Sequence, residues 1–108
     1  MIPEQEYRHL VDATLRRIDA AFETVDPDLA ECSISQGALT IVYDGRIRCI
    51  VSPQPPVRQM WLAFRDRAWH FDWNAAAESW VDDKGRGDEL YPLIATLTRE
   101  TVGVDVTV

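Results

Sequence analysis

The stretch Val57–Trp73, VRQMWLAFRDRAWHFDW, decides the fold. Side chains along a strand point alternately to opposite faces. With that period Met60, Leu62 and Phe64 share one face of a first strand. Trp69, Phe71 and Trp73 share one face of a second, after a tight connection near Asp66. The two rows together make a core wall. The opposite face carries Gln59, Trp61, Ala63 and Arg65 on the first strand and His70 and Asp72 on the second. Trp61 is out of place on such a row. A large aromatic there is either covered by another element or offered to a partner.

Upstream, Pro3 to about Val25 is patterned as a helix. Tyr7, Leu10, Val11, Thr14, Ile18, Ala21, Phe22 and Val25 recur at helical spacing, which places them on one side. Asp12, Asp19 and Glu23 fall together on the other side, and Pro27 is expected to close the helix. Acids continue beyond it as Asp26, Asp28 and Glu31. A charge run of this kind is a solvated helix face or a ridge of carboxylates that collects hard cations. Arg8 and Arg16 share the acidic side and compensate part of it.

Residues 30–35 form a first strand, and Leu39, Ile41 and Tyr43 alternate in a second. Asp44-Gly45 is a strong hairpin signal leading into a third strand, Arg46 to Val51. Ser52-Pro53-Gln54-Pro55-Pro56 is expected to be a stiff connection, because proline has no ladder donor. Downstream, Ser79-Trp80-Val81 is a short strand, and Asp82 to Gly87 is a polar turn. Gly87 or Asp88 is positioned to cap a second helix, from about Glu89 to Arg99, with Pro92 tolerated in its first turn. The β-branched tail, Val102 to Val108, is an edge strand or a cover for the core.

The order helix, about six short antiparallel strands, helix predicts an α+β, two-layer α/β sandwich formed by residues 1–108 as a single domain. Two helices cover one face of the sheet, and the other stays in water. Trp61 then lies on the open face, available to a partner.

Composition narrows the function. The chain of 108 residues is 46% hydrophobic and 27% charged, with net charge −7 and a pI of about 4.6. An acidic surface repels nucleic acid and anionic membrane and suits cations or a basic protein. Eight acidic residues and three arginines lie within residues 1–31, so most of the imbalance sits there. Cys32 and Cys49 form no metal-binding spacing and are expected to be reduced, mostly buried thiols of a cytoplasmic protein. Neither a membrane span nor a targeting segment is visible, so the chain is expected to be complete. No Gly-rich phosphate loop or catalytic triad can be assembled. His9 and His70, each isolated in sequence, are read as structural or solvated rather than as ligands.

Along nearly its full length the chain resembles the frataxin family, in its bacterial branch. The resemblance rests on the element order, the acidic first helix and three segments. Glu31–Ile41 is similar to the family's acidic entry into a first hairpin. Gln54-Pro55-Pro56-Val57-Arg58-Gln59-Met60-Trp61-Leu62-Ala63 is similar to its Gln-x-Pro-x-x-Gln-x-Trp-Leu-Ala motif. The third comprises His70-Phe71-Asp72, then Trp80 and Asp83-Lys84-Gly85. The chain departs from the family at Ser52, where Asn is usual, and at Arg67 and Ala68, where glycines are usual. Ala20 and Thr24 stand where second carboxylates are usual.

The resemblance implies a non-enzymatic, iron-binding regulator or adaptor of iron–sulfur cluster assembly. Weakly held, exchangeable Fe²⁺ or Fe³⁺ would sit on Asp19, Glu23, Asp26, Asp28 and Glu31, with Asp12 and Asp44 as extensions. Gln59, Trp61 and His70 would meet the cysteine desulfurase and its scaffold protein. The protein would be a monomer, or an iron-dependent oligomer. Two alternatives stand beside this one: a metal-independent adaptor, and a ferroxidase or iron store.

Overall fold

Alternating hydrophobicity over short, turn-punctuated runs gives strands, and the apolar periodicity at each end of the chain gives helices. The computed structural model, which describes residues 2–108, has this form. Helix α1 (Glu4–Ala21) precedes strands β1 (Ala30–Ser35), β2 (Ala38–Tyr43), β3 (Ile47–Gln54), β4 (Gln59–Phe64), β5 (Arg67–Asn74) and β6 (Ser79–Asp82). Helix α2 (Leu90–Val102) follows. The six strands form one antiparallel sheet in chain order. Each strand therefore pairs with its sequence neighbour, and no crossover is needed.

Both helices pack on the face that carries Leu39, Ile41, Val51, Met60, Leu62, Trp69, Phe71 and Trp80. Tyr7, Leu15 and Ile18 of α1 and Leu90, Ile94 and Leu97 of α2 complete the core. Thr14 and Thr98 inside it are paired across elements. The Trp80 indole N–H donates to Thr14 Oγ1 at 2.9 Å, joining β6 to α1. Tyr43 Oη and Thr98 Oγ1 lie 2.7 Å apart, joining β2 to α2. The tail beyond α2 is no strand; Val106 and Val108 lie against the core as cover.

Several boundaries differ from the sequence reading. α1 stops at Ala21, four residues short of Val25, and its last turn holds no basic side chain to favour the carbonyl end. Glu23 is thus on a turn, not on the helix. β3 runs through Pro53 to Gln54. Pairing with β2 ends at Leu39 opposite Val51, so Pro53 lies past the last β2 partner and its missing N–H breaks no ladder bond. α2 starts at Leu90 with Glu89 as its N-cap, and no side chain caps it. It runs three residues past Arg99 because Gly103, at φ 71°, closes it by donating its N–H to Arg99 O. Arg65, read as part of a strand's polar row, sits instead in the β4–β5 turn at φ 57°.

Candidate functional site

The open face of β4 and β5 carries a closed ring of polar and aromatic contacts. Register sets Trp61 opposite His70 and Gln59 opposite Asp72. The Trp61 and His70 rings stack with centroids 4.1 Å apart and planes 13° from parallel. Trp61 Nε1 donates to Gln59 Oε1 at 2.8 Å. The Gln59 amide then donates to Asp72 Oδ1 at 3.1 Å and to Asp83 Oδ2 at 3.0 Å. His70 Nδ1 lies 4.0 Å from the same Asp83 oxygen, which closes the ring. This amide orientation alone satisfies an indole donor and two carboxylate acceptors together.

Trp61 is therefore half-buried by its own neighbours and sits under no helix. It presents a flat aromatic platform held from the side by hydrogen bonds. The structure brings together Gln59, Trp61 and His70, and it adds Asp72 and Asp83. Asp72 follows from the alternation that includes His70. Asp83 lies beyond β6, and only the ladder places it: its N–H donates to His70 O at 2.8 Å.

The acidic residues form a second surface around one end of the sandwich. Asp19 is in the last part of α1, Glu23 in the turn after it, and Glu31 near the start of β1. Asp26 organises the turn between them: its Oδ1 accepts from Asp28 N at 2.9 Å, and its carbonyl accepts from Leu29 and Ala30. Asp44 joins them because its N–H donates to Leu29 O at 2.9 Å. Asp12 lies farther back along α1 and is paired with Arg16 at 3.2 Å. Asp44 is paired with Arg46 at 3.6 Å. Among the described residues, Asp19, Glu23, Asp26, Asp28 and Glu31 have no basic group within 4.0 Å.

What this surface can do follows from its donors. Among the described residues, no three His, Cys, Asp or Glu side chains converge as a metal cage. Each exposed carboxylate can offer an ion one or two oxygens, with water filling the rest of its shell. Cys32 faces the helices near Asp19, and its thiol is pushed up to about 12, first by burial and then by the charge and hydrogen bond of Asp19. It is protonated at neutral pH and supplies no thiolate. Cys49 is likewise pushed up to about 12 by burial. Ile41 pairs with both cysteines and so separates their strands. Among the described residues, no helix is long and apolar enough to cross a membrane.

Comparison with known proteins agrees with this architecture. A family model described as a frataxin-like domain matches residues 1–104. The iron–sulfur cluster assembly protein CyaY of Azotobacter vinelandii is 32% identical over 105 residues, covering 97% of this chain and 94% of its own. CyaY of Pseudomonas fluorescens is 37% identical over 103 residues, covering 95% and 92%. Among solved structures, the frataxin of Psychromonas ingrahamii superposes with a TM-score of 0.86 at 23% identity, over 97% of this chain and 96% of that one. Trimeric yeast frataxin superposes with a TM-score of 0.73 at 21% identity, over 88% and 80%. With the same two helices on one face of a six-stranded antiparallel sheet, and a family match over almost its whole length, the chain belongs to the frataxin-like family.

Proposed function

We propose that this chain is a non-enzymatic regulator of iron–sulfur cluster assembly, acting as one domain in the cytoplasm. It binds Fe²⁺ or Fe³⁺ weakly on the acidic surface and docks on the cysteine desulfurase and its scaffold. Its relatives in Azotobacter vinelandii and Pseudomonas fluorescens carry that assembly role in their names. The observation that carries the reading is the set of five carboxylates, Asp19, Glu23, Asp26, Asp28 and Glu31, that have no basic partner within 4.0 Å among the described residues. Packing like charge together is unfavourable until a cation or a basic surface arrives. Asp12 and Asp44 serve as flanking ligands once their arginines move aside. Iron is cargo here: exposed monodentate oxygens bind and release it readily.

Docking uses the Trp61–His70 platform, with Gln59 holding Trp61 in place. Half-buried aromatics of this kind often anchor interfaces. Two measurements test the proposal. Titration with Fe²⁺ should shift amides near Asp19, Glu23 and Asp26, and Asp19→Asn/Glu23→Gln/Asp26→Asn should remove those shifts; unchanged binding in that variant removes the surface from the account. Oxygen consumption with Fe²⁺ should stay at the buffer rate, and turnover above it would make the protein a ferroxidase.

The absence of a three-residue cage among the described residues also favours a second reading, a metal-independent adaptor. It predicts that capture of the desulfurase survives a chelator and fails with Trp61→Ala. Loss of capture on chelation instead supports the iron-dependent reading.

A further inference from the structure

Three arginines gather at one edge of the uncovered face. Arg46, Arg48 and Arg65 line an open groove of about 400 Å³ together with Ile47, Ile50 and Ala63. Pairing of Ile50 with Ala63 and of Cys49 with Phe64 brings the start of β3 against the β4–β5 turn. Arg46 has the 3.6 Å contact with Asp44. Among the described residues Arg48 and Arg65 have no ion-pair partner, although Asp66 shares the turn with Arg65.

This is a local reversal of sign in a chain of net charge −7 with eleven basic residues. Arg46 is offset by Asp44, but Arg48 and Arg65 on the same groove repel one another unless an anion lies between them. Arg65 is held there at φ 57°, where glycine or asparagine is normally preferred. The floor is apolar: Ile50 is 40% exposed, the residue beside it in the groove is Ala63, and neither offers anything to a bare inorganic ion. The chain's overall charge opposes nucleic acid. A guanidinium pair suits carboxylates, which it grips in a two-pronged fashion.

We propose that this groove docks an acidic polypeptide segment, with an aliphatic side chain on Ile50 and Ala63 and flanking carboxylates on Arg48 and Arg65. Ala63 follows Trp61 on the same row of β4, so the segment continues onto the aromatic platform. The contact between Asp44 and Arg46 marks a boundary. On the β1 side the surface is acidic and recruits bases; on the β3 and β4 side it is basic and recruits acids. One small protein can thereby touch two partners of opposite charge, and the groove acts whether or not the acidic surface binds iron.

The test is an amide-shift titration of the full chain, at low salt, with a synthetic Asp/Glu-rich peptide carrying a central leucine. Shifts should cluster at positions 46–50 and 63–66 and spread to 61. Arg48→Glu/Arg65→Glu should weaken binding at least about tenfold, and Ile50→Ser should weaken it further than it weakens binding of inorganic phosphate. Asp19→Asn/Glu23→Gln/Asp26→Asn should leave peptide binding intact, which separates this site from the acidic surface. The proposal is overturned by absence of shifts, by shifts that phosphate alone reproduces, or by tighter binding of duplex DNA. It is overturned too by a salt-sensitive dimer in sedimentation that the double arginine variant abolishes, since a second copy would then be the occupant. Arg48, Ile50 and Arg65 are exposed, and matching thermal melts verify that the variants fold.

Discussion

Asp82 is a carboxylate whose side chain is wholly covered, on the inward side of β6. Burying a charge is unfavourable unless it is paired and hydrogen-bonded. Arg86 meets that need with both prongs: Nε donates to Oδ2 at 3.0 Å and Nη2 to Oδ1 at 2.9 Å. Its backbone N–H adds a third bond at 3.2 Å, folding the 82–86 loop around the carboxylate. The hydrogen bonds from Arg86 hold the Asp82 carboxyl below the usual aspartate range. Its folded value is thus depressed relative to the unfolded chain. The stabilisation is complete above the ordinary aspartate value and is lost as pH falls through the depressed one. Asp82→Asn should therefore melt below the parent at pH 7, and the gap should shrink as the pH is lowered through the aspartate range. A gap independent of pH would mean that packing, not charge, explains the loss. The neighbouring residue is Asp83, so this loop also aims the carboxylate that holds Gln59.

At the scale of elements, one hydroxyl joins α1 to the β3–β4 hairpin. Tyr7 Oη accepts from Gln54 N at 3.0 Å and donates to Gln59 O at 2.7 Å. Gln54 and Gln59 are the final pair of that ladder, and the hydroxyl bridges them where the strands part. The short 3₁₀ turn Pro55–Val57 follows at once, so the bridge fixes where β4 begins. Tyr7→Phe keeps the buried ring and leaves two backbone groups without partners. It should lower unfolding stability by about 1–3 kcal/mol, the cost of an unmet buried donor or acceptor. Urea unfolding measures it, and an unchanged midpoint would show that water replaces the bridge. Because Gln59 carries the amide that orients Trp61, the variant should also broaden the Trp61 indole resonance.

At the scale of the molecule, charge is arranged against stability at the acidic end. Asp19 and Glu23 sit near the C-terminus of α1, where the helix dipole disfavours negative charge, and its last turn has no compensating base. Asp19→Asn/Glu23→Gln/Asp26→Asn should therefore raise the melting temperature at low ionic strength. Asparagine at position 26 keeps an acceptor for Asp28 N, so the turn itself is preserved. The gain should fade in roughly 0.5 M salt, where the screening length is a few ångströms. A variant less stable than the parent at low salt would mean that these carboxylates stabilise the fold through contacts of their own.

The alternation of Met60, Leu62 and Phe64 against Gln59 and Trp61 determined the sheet, its inward face and the open position of Trp61, because period-two patterning is a local property. The helical spacing of Tyr7, Thr14 and Ile18 determined α1 in the same way. The density of acids in the first third was equally legible, since charge needs no coordinates. Three-dimensional pairing decided the rest. Only the register between β5 and the residues after β6 brings Asp83 to Gln59 and His70. Only the end of β2 explains why Pro53 can lie in a strand. Only packing of β3 against the β4–β5 turn gathers Arg46, Arg48 and Arg65, which lie up to nineteen positions apart in the chain. A sequence states which side chains share a face of one element; which elements meet, and at what register, is set by long-range burial and backbone pairing.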